Sequence, residues 1–178
     1  VEISTVDMGH FNIWPLVPDP AAAGQGAPAW FGLSAPDLLA LLSADPTVVV
    51  QSNHPRFSSA SYFDAIGFDG ALVDASLVSY PVMELINGIG HDDTSQVLED
   101  WMALLDRGIT IGPTGTSDVH GDAGPVGNPR TLAWVGHGPP YAAGELDAAI
   151  RAGRTVATAG PLVTVELEDA DGHRAGPG

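Results

Sequence analysis

Two side chains that could do chemistry stand two residues apart in the segment GTSDVH, residues 115–120. On an extended backbone Asp118 and His120 would point to the same face, because side chains alternate along a strand. A carboxylate and an imidazole on one face are typical of a metal site, of half a proton relay, or of the polar end of a strand. The other polar residues of the chain favour the metal site.

Three more potential ligands lie in or beside predicted strands. Glu2 lies inside the first predicted strand, His10 opens the second, and His54 directly follows the run TVVVQSN. The chain has no Cys, so any metal must be held by His, Asp or Glu. Such a donor set suits Zn, Mn or Fe, and the corresponding chemistry is the activation of water.

Individual roles follow from the chemistry of each side chain. A carboxylate such as Glu2 is suited to bridging two ions, and His120 could be either a ligand or a proton carrier. Arg130, in the segment GNPRT, could hold an anionic or carbonyl oxygen of a substrate. Taken singly, a histidine after a strand is more often a polar strand end than a metal ligand.

Some other polar residues have two possible roles, and the rest are not expected to take part in the site. Glu84, inside VMELIN, is either a carboxylate near the site or an ion-pair partner, and Arg56 either orients a substrate or pairs with an acid. We expect His91 and His173 to be solvated. The run EDADG near the C-terminus imitates a calcium loop, but no bidentate Glu follows it and its flanks are not helical, so we reject that interpretation.

The elements that must position these residues alternate between apolar runs and helical patterns, which predicts an α/β fold. The carboxyl ends of parallel strands would then carry the site. A first helix is predicted after a capping pair of Ser34 and Asp37, a second from Thr94 or Ser95 to Gly108, and a third over about Ala143–Ala152. The predicted strands are Val1–Thr5, His10–Leu16, Thr47–Ser52, Val82–Asn87, Ile109–Pro113, Thr131–Val135, Thr155–Thr158 and Leu162–Leu167.

Composition excludes several classes of partner. The net charge of −16, with six basic residues that are all Arg, disfavours binding to nucleic acid. No run approaches the roughly 18 apolar residues of a membrane span. A hydrophobic share of 44% with 16% charged residues is typical of a packed globular domain, and we expect its partner to be a small-molecule substrate.

Seven segments form a pattern through their order and spacing, namely VEISTVDMGHFNIWPL, VQSNHPR, MELINGIG, DWMALLDRG, GTSDVHG, GNPRT and AGRTVATAGPLV. Together they resemble the PHP (polymerase and histidinol phosphatase) superfamily of metal-dependent hydrolases, and most closely its carbaryl-hydrolase-like CehA/McbA branch. The resemblance implies a distorted (β/α)7 barrel, of which this chain would be the C-terminal two-thirds, with two or three divalent metal ions.

Carried over position by position, the resemblance implies a bridging carboxylate, further metal ligands and two catalytic residues. The implied metal ligands are Glu2, His10, His54, Asp118 and His120, and the implied catalytic residues are His120 and Arg130. We accordingly expect a metal-dependent hydrolase that uses metal-activated water on a phosphoester, ester, amide or carbamate.

The chain departs from the family pattern at its start, where the His-x-His pair of the first PHP strand is missing. We expect residues 1–160 to be one metallohydrolase domain that is incomplete at its N-terminus. Residues 161–178 would be a terminal strand and tail leading to a missing segment. The departure motivates an alternative, a catalytically inactive PHP-like domain that serves in binding or scaffolding.

Overall fold

A computed structural model describes residues 1–57, 61–70, 74–88, 94–122, 124–142 and 144–176. The strands of the described residues are β1 Glu2–Ser4, β2 His10–Trp14, β3 Val49–Asn53, β4 Val82–Asn87, β5 Gly112–Thr116, β6 Arg130–Ala133, β7 Thr155–Thr158, β8 Leu167–Glu168 and β9 Arg174–Ala175. The main sheet has five strands in chain order, antiparallel from β1 to β3 and parallel from β3 to β5. Two further antiparallel pairs are β6 with β7 and β8 with β9.

In the described part of the chain four α-helices accompany the sheets, and the predicted α/β class is confirmed. They are α1 Ala35–Leu42, α2 Tyr62–Ala65, α3 Thr94–Asp106 and α4 Glu145–Arg151, with short 3₁₀ segments at Ala23–Gly26 and Ala75–Val78. The described residues form an open mixed sheet and contain no closed barrel, so the (β/α)7 barrel stays a prediction. No helix among them is long and apolar enough to span a membrane.

One face of the sheet is apolar and the other carries polar side chains. Ile3, Phe11 and Ile13 are buried in the core, while their neighbours along β1 and β2 are partly or fully exposed. This alternation is the period of two expected of half-buried strands. Strand β3 is buried along its whole length, including its polar residues Gln51, Ser52 and Asn53. The polar face is therefore the one available for a site.

The predicted helices are confirmed together with their end signals. Ser34 caps α1, its side chain accepting the backbone N–H of Asp37, as the capping pair predicted. Helix α3 ends before Gly108, which has a φ of 75° that favours glycine. The four-residue helix α2 was not predicted, because a single turn has too few residues to show a helical period.

Strand β5 corrects the predicted boundaries. The apolar run predicted a strand at Ile109–Pro113, but the strand is Gly112–Thr116 and Ile111 is a buried residue before it. The strand lies where glycines allow close packing, since a Cβ on Gly112 would come within 2.8 Å of Cα of Gly153. Hydrogen bonds from side chains of β6 and β7 hold that edge, and Thr155 Oγ1 donates to the Pro113 carbonyl at 2.6 Å.

The end of the chain also differs from the prediction. Of the predicted strand Leu162–Leu167 only Leu167 is in a strand, and β8 pairs with β9 as a short hairpin. Leu162, Val163 and Val165 are exposed, and no neighbouring strand in the described part of the chain pairs with them. Apolar alternation alone did not form a strand without a partner for its backbone hydrogen bonds.

Candidate metal site

Glu2 and His10 meet across the first strand pair. Because β1 and β2 are antiparallel, Ser4 lies opposite His10, and Glu2 lies two residues away on the same face. Glu2 Oε1 is 3.0 Å from His10 Nδ1, and it also accepts the Ser4 hydroxyl at 2.8 Å. The antiparallel pairing of β2 with β3 brings His10 opposite Asn53, so the start of β2 lies beside the carboxyl end of β3.

His54 follows β3 and completes a compact group. Its ring centroid is 4.8 Å from that of His10, with the two rings at 74° to each other. Burial lowers the pKa of His54, and the positive charge of a protonated His10 lowers it further, which favours the neutral imidazole that binds metals. In the described part of the chain, its buried Nδ1 has no hydrogen-bond partner.

These three residues fit a divalent cation. Each of Glu2, His10 and His54 offers one ligand atom, and the three atoms lie within 4.8 Å of one another. One carboxylate with two imidazoles is a donor set used by catalytic zinc sites and by other first-row metals. The unpartnered ring nitrogen of His54 agrees with this fit, because a buried polar atom without a partner is costly.

Asp118 and His120 are placed differently from the expectation. They lie outside β5, and Asp118 has a φ of 45°, so the extended backbone that would put both on one strand face does not exist. The Asp118 carboxylate turns toward Asn87, while His120 is exposed, with Nδ1 2.8 Å from the Asp118 carbonyl and 3.5 Å from its Oδ1. Neither belongs to the compact group of Glu2, His10 and His54.

A buried carboxylate connects the two parts of the site. Glu84 accepts the His54 backbone N–H at 2.6 Å, the Asn87 amide at 3.1 Å and the Thr116 hydroxyl. Asn87 also donates to Asp118 Oδ2 at 3.1 Å. Burial raises the pKa of Glu84 to about 7 against the opposing effect of these hydrogen bonds, with the nearby Asp118 carboxylate adding to the rise.

Sequence reasoning left the role of Glu84 open and missed both Asn87 and Thr116. The structure resolves the first point, because Glu84 has no cationic partner among its described contacts and lies beside His54. A signal was present, since a charged residue and an amide interrupt the otherwise apolar strand VMELIN. Buried polar residues of this kind need hydrogen-bond partners, which other strand ends supply.

The two candidate arginines both have structural partners. Arg56, beside His54, pairs with Asp100 at 2.6 Å and with Asp64 at 2.5 Å, so of the two roles left open it has that of an ion-pair partner. Arg130 donates to the carbonyls of Gly160 and Gly127 at 2.8 and 3.4 Å. Within the described ranges, no hydrogen bond or ion pair joins Arg130 to the compact group.

His91, which we expected to be solvated, lies outside the described residues. A second group of possible ligands lies in the terminal hairpin. Asp169, Asp171 and His173 also bring ligand atoms within 4.8 Å of one another, but all three are exposed. Asp169 accepts backbone N–H groups of Asp171 and His173, which is the ordinary role of an Asp in a turn. Strands, not helices, flank this segment, which agrees with our rejection of the calcium-loop interpretation.

Comparison with family models, with curated proteins and with solved structures found no match to this chain.

Proposed function

We propose that this chain binds a divalent cation through Glu2, His10 and His54 and that it is part of a metal-dependent hydrolase. The observation that supports the proposal best is the convergence of these three side chains from three separate segments of the polar sheet face. The bond hydrolysed would be a phosphoester, ester, amide or carbamate. The sequence resemblance to the PHP superfamily suggests the same class.

The proposed fold is a PHP-type barrel, of which the five-stranded sheet would be one part. The parallel strands β3, β4 and β5 support this idea, because residues of the site lie at or just beyond their carboxyl ends. His54 follows β3, Asn87 is the last residue of β4, and Asp118 follows β5. The proposed complement of two or three ions would require further ligands besides the compact group.

The residues of the site would have distinct tasks. A bound divalent cation supplies a Lewis acid that polarises the substrate and lowers the pKa of water toward neutrality. Exposed Glu2 contributes negative charge, and neutral His54 contributes a ring nitrogen without desolvating a second charge. The cavity beside His54, Glu84 and Asn87 has a volume of about 10 Å³, which is room for about one water molecule and too little for a substrate.

Asp118 and His120 would serve the reaction from the edge of this group. The Asp118 carbonyl engages Nδ1 of His120, which would leave Nε2 to carry a proton. The side chain of His120 is 72% exposed, so the place where the substrate binds decides whether His120 can form a hydrogen bond with it.

Zn²⁺ and Mn²⁺ titrations of the purified chain test the proposal. Because the terminal hairpin is a second possible site, they are done in a His173→Ala background. We expect one equivalent of metal to bind, and His54→Ala to remove it. His137→Ala is the matched control, since His137 also lies near a carboxylate, 3.3 Å from Glu145, but in a different region. Equal binding by His54→Ala and the parent would contradict the proposal.

A second candidate function is a metal-binding domain without catalysis. It is favoured by the position of Asp118 and His120 outside the compact group. Elemental analysis of the full-length protein and turnover assays on aryl phosphates, esters and carbamates separate the two. Bound metal with no turnover after Zn²⁺ or Mn²⁺ addition would favour the non-catalytic domain.

A further inference from the structure

A single buried carboxylate receives hydrogen bonds from the ends of three strands. Glu84 is only 2% exposed and lies in β4, between β3 and β5. Its Oε2 accepts the backbone N–H of His54, just beyond β3, and the amide of Asn87 at the end of β4. Its Oε1 accepts the hydroxyl of Thr116, the last residue of β5. Each bond joins Glu84 to the part of a strand nearest the site.

The network continues to a second candidate ligand. The amide nitrogen of Asn87 lies 3.1 Å from Glu84 Oε2 and 3.1 Å from Asp118 Oδ2. His54, Glu84, Asn87 and Asp118 therefore form one chain of hydrogen bonds. Its ends come from segments 64 residues apart in sequence, which no local backbone interaction would hold in register.

The two residues at the ends of this hydrogen-bond network, His54 and Asp118, have a strained backbone. Among the described non-glycine residues only Gln25, His54 and Asp118 have positive φ, with 27° at His54 and 45° at Asp118. Such conformations are unfavourable for residues with a side chain and persist only where surrounding contacts hold them. The bond to Glu84 is made by the backbone N–H of His54 itself, so it acts directly on the strained residue.

We propose that Glu84 is a positioning residue that holds the backbone of His54 and, through Asn87, fixes His54 relative to Asp118. The consequence for metal binding rests on the function proposed above, whereas the consequence for the His54 backbone does not. Outer residues that orient metal ligands typically contribute 10–100-fold to affinity. An apolar residue at this position would leave the His54 backbone N–H without its acceptor.

The test compares Glu84→Met, which removes the acceptors at similar volume, with Glu84→Gln, which keeps one oxygen. In the metal-free protein we expect the ¹H–¹⁵N resonance of His54 to lose its downfield shift in Glu84→Met and to keep part of it in Glu84→Gln. Zn²⁺ affinity should fall about 10–100-fold in Glu84→Met, with partial recovery in Glu84→Gln. Thermal melting of each variant checks that the fold is retained.

A matched pair on β5 keeps the proposal testable if Glu84→Met does not fold. Thr116→Val removes a donor to Glu84, while Thr114→Val removes a buried hydroxyl that donates to the Met83 carbonyl at 3.1 Å. We expect Thr116→Val to shift the His54 resonance and to weaken Zn²⁺ binding, and Thr114→Val to do neither.

Two results would overturn the proposal. One is an unchanged His54 resonance in a folded variant at position 84 or 116. The other is Zn²⁺ binding by folded Glu84→Met that equals that of the parent. Failure of the parent chain to bind Zn²⁺ would instead refute the proposed function, and the His54 resonance would still report whether Glu84 positions it.

Discussion

Replacing Arg56 by leucine should lower the free energy of unfolding by about 3–5 kcal/mol, the usual cost of removing one partner of a buried ion pair. The side chains of Arg56 and Asp100 are 6% and 8% exposed. Arg56 donates to both Asp100 oxygens, at 2.6 and 3.1 Å, and to the Phe68 carbonyl at 2.7 Å. The substitution leaves a buried carboxylate and a buried carbonyl without their donor. Asp64 adds little, because its side chain is 62% exposed.

Urea denaturation at neutral pH measures this effect, and a double-mutant cycle assigns it. Arg56→Leu combined with Asp100→Leu should be less destabilised than the sum of the single variants, because the unpaired charge is gone. Arg174→Leu is the control, since Arg174 pairs with Glu168 at 2.8 Å but both are more than half exposed. A loss for Arg56→Leu as small as that of this control would refute the reasoning.

Three further predictions concern the core, a close approach and a helix cap. Phe11→Ala should lower the free energy of unfolding by about 3–5 kcal/mol, because Phe11 is fully buried and its ring lies 4.9 Å from that of Tyr62. Urea denaturation measures this loss, and a loss below about 1 kcal/mol would contradict the place of Phe11 in the core. Gly9→Ala should lower the melting temperature, because Gly9 has a φ of 77° and a Cβ there would lie 2.7 Å from Cβ of Tyr62. Gly138→Ala is the control and should leave the melting temperature unchanged, because a Cβ on Gly138 would meet no atom within 4 Å. Ser34→Ala should cost about 1 kcal/mol, and no loss would show that its cap on α1 is not formed in solution.

The sequence predicted those elements whose side-chain period matches their surroundings. Strand β3 and helices α1, α3 and α4 have clear apolar patterns, and each is present within a few residues of its predicted bounds. Strand β5 has the sequence GPTGT, which is poor in strand-forming residues. Its position depends on the close approach of Gly112 to Gly153, a contact between segments that no local pattern contains.

The sequence predicted the three residues of the compact group, but neither Asn87 and Thr116 beside it nor its arrangement. Spacing and residue type identified Glu2, His10 and His54, but not the antiparallel pairing that brings the start of β2 to the end of β3. For Asp118 and His120 the alternation rule failed, because it assumes extended backbone. The positive φ of Asp118 takes its backbone out of the extended region, and Asp is one of the few non-glycine residues that tolerate such a φ.

Anomalous diffraction from crystals of the Zn²⁺-loaded chain tests the central claim most directly. The account predicts a zinc peak within about 2.0–2.2 Å of one ligand atom each from Glu2, His10 and His54. A peak only at Asp169, Asp171 and His173, or no ordered peak at saturating Zn²⁺, would contradict it.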